Sequence, residues 1–294
     1  MVNRWTRAAT SARGTTATTA EVTETGRQPA VDRDATVLRL LRTGAMRLEG
    51  QLIDASNTTL RAVIEADGTA IRCVYKPVRG ERPLWDFPDG TLAGREVAAH
   101  LVAQALGWPL VPPTVLRDGP IGPGACQLWI DEPDGSVPLV DFVAADQVPT
   151  DWLPVAAARD TDGKPYALAH ADDPRLARLA VFDIVVNNAD RKGGHVLAGP
   201  DNQVYGVDHG LCFHVDDKLR TVLWGWSGRP LPPEAGSALR QLRTAVDATL
   251  GGQLASLLTQ AEITQLAGRV DGLIEAGCFP SPPATRSAIP WPPM

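Results

Sequence analysis

Paired cysteines, excess basic charge and long apolar runs are all missing from this chain, and each absence removes a class of function. The four cysteines, Cys73, Cys126, Cys212 and Cys278, are far apart and form no C-x-x-C pair. Neither a disulfide framework nor a structural zinc site is expected from them. Cys73, Cys126 and Cys212 lie in apolar or strand-like runs and are expected to be buried thiols in a reducing compartment. Acidic residues outnumber basic ones, 34 to 28, for a net charge of −6. The field of the whole molecule therefore does not draw it to nucleic acid or to an anionic membrane, although a local basic patch is compatible with that average. No run approaches the ~20 apolar residues of a membrane helix. The first residues carry arginines without the apolar segment of a secretory signal. No internal repeat is visible. What remains is a cytoplasmic globular protein with no transmembrane segment and no nucleic-acid partner.

What is present is length and punctuation. The chain has 294 residues, with 25 prolines and 27 glycines, enough for a two-lobed domain or two small domains with many loops. Its organising stretch is 181–213. A nearly continuous apolar run, 181–186, gives way to Asn187-Asn188-Ala189-Asp190-Arg191-Lys192-Gly193-Gly194-His195. A short apolar pair, a turn at 199–202 and a strand-like run at 203–207 follow, closing on Asp208-His209-Gly210. A hairpin of this kind brings Asp190 and Asp208 near each other. Two carboxylates at a loop edge suit metal-assisted phosphoryl transfer, one orienting the attacking hydroxyl and the other holding a divalent ion on nucleotide phosphates.

The motifs Asn187-Asn188-Ala189-Asp190-Arg191 and Val207-Asp208-His209-Gly210-Leu211-Cys212-Phe213 resemble the catalytic and metal-binding loops of the phosphatidylinositol 3-/4-kinase-like family. The type II phosphatidylinositol 4-kinase pattern is the nearest. One residue departs from it, since that family has Asn where this chain has His195. The resemblance implies an α+β, two-lobed protein-kinase-like fold with an antiparallel β-rich N-lobe and a mainly helical C-lobe. It also implies ATP with Mg²⁺ as cofactors. Under it Asp190 is the catalytic base, or the group orienting the acceptor hydroxyl. Lys192 neutralises charge on the transferring phosphoryl group. Asp208 ligates the metal, and His209 stands where protein kinases carry an aromatic residue. His195 falls at a metal position, where imidazole prefers softer ions than Mg²⁺. A single-metal enzyme, use of Mn²⁺ and a nucleotide binder without turnover are all open, as is a His195 that only hydrogen-bonds Asp190. By itself an Asp-Arg pair in a loop reads as a surface ion pair, worth ~0–1 kcal/mol.

In chain order, 1–34 lacks apolar periodicity and is expected to be a disordered leader. A short helix follows at 34–44, with Asp34 as cap and Gly44 as stop. Three strand-like runs at 45–54, 58–67 and 69–78 are separated by a turn at 54–57 and by Asp67-Gly68, a strong hairpin signal. The first turn lacks the G-x-G-x-x-G of protein kinases, so Ser56 and Asn57 are the donors the resemblance offers to phosphates. A plain hairpin turn is the simpler reading of that loop alone. Lys76 shares a face with Val74 and Val78 by alternation. A solvent-facing lysine is the usual outcome, whereas the resemblance makes Lys76 the phosphate-binding lysine of the third strand.

The polar loop after it carries Trp85 and Phe87, and 91–106 reads as an amphipathic helix stopped by Gly107. Glu96 in that helix is implied as the partner of Lys76, or is a carboxylate favoured by the helix dipole in the first turn. Strands at 111–117 and 125–131 complete a five-stranded small lobe. Residues 127–132 then form the hinge, with Trp129 and Ile130 at the adenine and strand burial as the alternative for Trp129. The expected N-lobe is 35–132, and the C-lobe with its connector is 133–278. In the latter, 133–171 reads as an irregular insertion around an apolar island at 139–143. Asp173-Pro174 opens a buried helix that delivers Asp190. Helices are expected at 234–250 and 253–276, and 279–294 is an extended proline-rich tail.

Three functions fit. The first is an ATP-dependent phosphotransferase acting on a hydroxyl of a lipid, protein or polyol. The second is a nucleotide-binding pseudokinase acting as a regulatory module, which the His195 substitution and the glycine-poor loop favour. The third is a metal hydrolase using Asp190, His195, Asp208, His209 and His214, which leaves Lys76 and Glu96 unexplained.

Overall fold

The computed structural model describes residues 30–52 and 57–294. Most of the expected leader at 1–34, and Ser56, lie outside the described residues. Helix α1 (Ala30–Thr43) begins before Asp34 and stops at Gly44. Strands β1 (Ala45–Gln51), β2 (Leu60–Ala66) and β3 (Thr69–Pro77) lead to helix α2 (Leu92–Ala105), followed by β4 (Thr114–Gly119) and β5 (Gly122–Leu128). They form a five-stranded antiparallel sheet in the order β1-β2-β3-β5-β4. The Asp67-Gly68 turn has positive φ at both residues, 52° and 75°, as a tight β2–β3 hairpin demands.

The β4–β5 turn is narrower than expected, because Gly119 pairs with Gly122 around Pro120-Ile121. Strand β5 therefore ends at Leu128, and Trp129 and Ile130 emerge just beyond it. Gly124 passes so close to β3 that a Cβ there would lie 2.5 Å from the Lys76 carbonyl oxygen. Alternation along β3 sends Cys73 to the α1 side, where it packs with Leu41, Ala62, Ile64, Val115 and Cys126. Lys76 is sent the other way, towards α2. Helix α2 caps on Thr91, whose side chain accepts from Gly94 N. It packs Ala93 and Val97 against Ala125.

Residues 133–171 are not an irregular insertion. Strands β6 (Val140–Ala144), β7 (Trp152–Arg159) and β8 (Pro165–Ala171) form a second antiparallel sheet in the order β6-β8-β7. Small alanines and an internal proline mask the alternation. Pro154 sits at the register shift of β7, the kind of place where a strand tolerates proline. His170 of β8 stacks on Trp226 at 4.3 Å, and its Nε2 accepts from Gly225 N at 3.1 Å, which ties this sheet to the lower lobe.

Helix α3 (Pro174–Val186) is the axis of the main core, with Leu176, Leu179, Val181, Phe182, Val185 and Val186 all buried. The hairpin of β9 (Val196–Ala198) and β10 (Val204–Gly206) follows. Three helices close the lobe rather than the two expected: α4 (Ala235–Asp247), α5 (Thr249–Leu254) and α6 (Gln260–Ala276). The split comes where Thr259 and Glu262 form a reciprocal capping box that starts α6 afresh. The proline-rich segment after α6 is docked. Phe279 is buried, Ala288 O accepts from Thr221 N at 3.0 Å, and Pro293 O accepts from Gly193 N at 2.8 Å. All four cysteines are free, with Cys73, Cys126 and Cys212 buried. Among the described residues no helix is long and apolar enough to cross a membrane.

Candidate active site

Helix α3 is built to end abruptly. Asp173 caps its start by accepting from Arg175 N at 2.8 Å, and Pro174 takes the first helical position. Asn187 ends it in the left-handed region at φ 53°, which Asn tolerates better than most residues. Its amide donates to His214 O at 3.0 Å and to Asp216 O at 2.7 Å. Its side-chain oxygen accepts from Lys218 N at 3.0 Å. Asn188 is buried, donates to Asp183 Oδ1 at 3.0 Å and accepts from Asp190 N at 2.9 Å. The two asparagines thus hold the loop on either side, and Asp190 stands between them and Lys192, whose Nζ lies 3.2 Å from its Oδ2. Burial pushes the Asp190 carboxyl up; the Lys192 charge pulls against this, and Asp208 adds to it.

Arg191 is not a surface residue. It and Asp183 are fully buried and paired at 2.9 Å. The same guanidinium donates to Val207 O at 2.9 Å and His195 O at 3.3 Å. It also meets His209 Nε2 at 2.7 Å. Arginine has no acceptor, so that nitrogen must be the accepting one and the His209 proton sits on Nδ1. Burial and the charges of Arg191 and Lys76 hold His209 neutral.

Across the cleft, Lys76 of β3 meets the Glu96 carboxylate of α2 and, at 2.8 Å, Asp208 Oδ1. Glu96 is the fifth residue of α2, past the first turn, so the dipole does not account for it. Its other oxygen accepts from His209 N at 3.0 Å. That bond holds the backbone beside Asp208, which stands in the left-handed region at φ 62°, a conformation costing ~1 kcal/mol or more. Burial works against the charges of both Lys76 and Asp208. Their mutual attraction prevails, holding the Asp208 carboxyl well below the usual range and the Lys76 ammonium well above its own.

His195 faces Asp208 rather than Asp190, with Nε2 3.4 Å from Asp208 Oδ2. Burial, helped by the charges of Arg191, Lys192 and Lys76, lowers its pKa to about 4 against the pull of Asp208. It is a neutral imidazole at pH 7, and its Nδ1 is buried with no hydrogen-bond partner among the described residues.

A cleft of about 440 Å³ opens between the lobes, lined by Val74, Lys76, Trp129, Ile130, Leu197 and Asp208, among others. Gln127, Glu132, Leu197 and Val207 also line the cleft, and Glu132 accepts from Ala198 N at 3.0 Å. Asn57 is not brought to the cleft, because its side-chain oxygen accepts from Arg82 N at 2.8 Å. Asp183 is the clearest residue missed by sequence reasoning. A lone carboxylate within an apolar helix needs a buried partner, and Arg191 was available.

The five residues of the hydrolase reading do not converge. Among the described residues no group of three His, Cys, Asp or Glu side chains could hold a metal ion. His209 is turned to Arg191, and His214 packs against Phe87 at 5.1 Å.

No known family model matches the chain. Protein Rv2133c of Mycobacterium tuberculosis is 49% identical over 261 residues, covering 86% of this chain and 94% of that protein. The crystal structure of the Golgi casein kinase with Mn/ADP bound superposes with a TM-score of 0.55 at 14% identity, over 89% of this chain and 80% of that one. The structure of hydra Fam20 with sugar gives 0.52 at 15% identity, over 85% and 89%. The fold is the two-lobed protein-kinase-like fold. The chain belongs to the same family as Protein Rv2133c.

Proposed function

We propose that this protein is an ATP-dependent phosphotransferase that moves the γ-phosphoryl group of ATP to a hydroxyl of a lipid, protein or polyol. One observation carries the reading. Lys76 from β3, Glu96 from α2 and Asp208 from the second loop converge across the cleft, beside Asp190. A lysine held by two carboxylates at the wall of the cleft is a cation placed for phosphates. The backbone at Ile130, next to Trp129 in the cleft wall, suits an adenine edge. Asp190 receives or orients the acceptor proton, and its raised pKa favours receiving it. Lys192 supplies positive charge next to that position.

The resemblance of the two loops to the phosphatidylinositol 3-/4-kinase-like pattern supports a hydroxyl acceptor. Use of ATP suits the cytoplasm. A divalent ion fits in part. Asp208 offers a carboxylate with 41% of its side chain exposed, and the neutral His195 points Nε2 at it. Nucleotide phosphates and water would complete the coordination. Such an ion neutralises phosphate charge, and the imidazole suits Mn²⁺ better than Mg²⁺. The Golgi casein kinase structure with Mn/ADP supports a nucleotide with that class of ion.

ADP release from ATP with Mg²⁺ or Mn²⁺ tests the reading beside Asp190→Asn and Asp208→Asn. Both variants are expected to lose at least a hundredfold in kcat. A second reading, a nucleotide-binding pseudokinase, is favoured by His195 against Asp208. Thermal stabilisation by ATP without turnover in either metal would establish it. ATP-independent hydrolysis with zinc would sink both.

A further inference from the structure

The segment carrying Asp190 has a second segment beside it. Arg191 and Thr221 form a parallel bridge. Arg220 N donates to Asn188 O at 2.9 Å, and Arg191 N donates to Arg220 O at 3.0 Å. Arg191 and Thr221 both turn inward to the Asp183 carboxylate. By alternation the residues before them, Asp190 and Arg220, turn together to the side away from Asp183. The Arg220 charge is accordingly one of those acting on the Asp190 carboxyl.

Arg220 differs from the cations around it. Lys76 is held by Glu96 and Asp208, Lys192 by Asp190, Lys218 by Asp86 and Arg286 by Asp217. The half-buried Arg220 guanidinium makes no hydrogen bond or ion pair among the described residues. A partly desolvated cation without a partner is costly, and a guanidinium fork matches the oxygens of a phosphate two at a time. The nucleotide is not the natural source of that phosphate, because Arg220 is absent from the walls of the cleft that holds Lys76.

We propose that Arg220 is an acceptor-binding residue that takes the phosphate group of a small phosphorylated polyol, presenting a neighbouring hydroxyl to Asp190. The inference rests on the phosphotransferase reading and names its substrate class. The acceptor oxygen forms a bond to the γ-phosphorus as the bond from that phosphorus to the β,γ-bridging oxygen breaks. The hydroxyl proton passes to Asp190 and then to solvent, and ADP leaves.

The test uses the full chain with ADP saturating the nucleotide cleft. Inorganic phosphate and glycerol 3-phosphate are titrated by calorimetry against wild type, Arg220→Gln and Arg220→Lys. Wild type is expected to bind both. Arg220→Gln weakens them at least tenfold and Arg220→Lys less, with thermal melting showing that each variant is folded. Turnover is then compared between glycerol and glycerol 3-phosphate. It is also compared between soluble inositol 1-phosphate and phosphatidylinositol vesicles, which separates a free phosphate from a lipid headgroup. Arg220→Gln should raise KM for phosphorylated acceptors and leave the neutral ones nearly unchanged. Equal phosphate affinity in wild type and Arg220→Gln overturns the proposal. So does transfer to glycerol 3-phosphate or inositol 1-phosphate with a KM that Arg220→Gln does not alter. Arg220-dependent phosphate binding with no ADP release from ATP under any condition supports the anion site and removes the phosphotransferase reading instead.

Discussion

The residue that sets the chemistry of this site is His195. Its imidazole is neutral at pH 7, because burial brings its pKa to about 4. It therefore adds no positive charge beside Asp208 and acts there as a lone-pair donor or a hydrogen-bond donor. With Nδ1 buried and without a partner among the described residues, Nε2 is the ring nitrogen that faces Asp208 and the one that can meet a divalent ion softer than Mg²⁺. ADP affinity measured by calorimetry should accordingly be higher with Mn²⁺ than with Mg²⁺, by about tenfold, a factor worth ~1.4 kcal/mol. The oxygen-donor variant His195→Asn should shrink that ratio to near unity; an unchanged ratio would mean that His195 does not touch the ion. The substitution was visible in the sequence, and so were Asp190, Asp208 and Lys76, since each stands where an apolar run stops or alternates. The partner of His195 was not visible. Whether the ring faces Asp190 or Asp208 depends on how tightly the β9–β10 hairpin folds back, and only the pairing of Val196 with Gly206 decides it.

At the scale of elements, the two acidic loops hang from one buried ion pair. Arg191 spends its guanidinium on Asp183, on the carbonyls of His195 and Val207, and on His209. The end of α3, the start of the hairpin and its return are fixed to one another by a single planar group. Asp183→Asn removes the countercharge and strands a buried guanidinium, so chemical denaturation should show a loss of about 3–5 kcal/mol. Replacing both partners by apolar residues, Asp183→Leu with Arg191→Met, is expected to recover much of that stability, because buried ion pairs are often replaceable. It should not recover kcat, because the two carbonyls lose their donors and the loops their spacing. Full activity in a stable double variant would show that the pair only supports the fold. The helix and the five-stranded sheet were legible because capping residues, Asp67-Gly68 and alternating patterns announce them locally. The β6-β8-β7 sheet was not. Its strands carry alanine and proline where a legible strand carries branched apolar residues, and its pairing is closed by contacts distant in sequence, such as His170 on Trp226.

For the molecule as a whole, histidine burial sets the response to acid. Of five histidines, His100, His170, His195 and His209 all have lowered pKa values, with burial as the largest cause, and His100 and His195 fall to about 4. Unfolded, each returns to ~6.5. Between those values the unfolded chain binds more protons than the folded one, so stability rises with pH across the window and is lost as the solution is acidified through it. For His100 and His195 the loss at pH 5 relative to pH 8 is about 2 kcal/mol each. The two aspartates act lower on the scale and in opposite senses. Asp208, with its lowered pKa, contributes stability above the ordinary carboxyl range that is lost only below it. Asp190, with its raised pKa, loses a little stability as pH rises through that range. Urea midpoints taken every half unit should therefore fall steadily from pH 7 to 5. In His195→Asn the decline should be shallower by about 2 kcal/mol at pH 5, the share of one histidine. A flat profile in wild type would mean that these rings accept protons while folded. The same window governs the site, because His195 can offer a lone pair to an ion only while neutral. Ion-dependent ADP binding should hold from pH 8 down towards 5 and weaken as His195 protonates near pH 4, while His195→Asn, which has no such proton to gain, keeps its binding until the aspartates titrate.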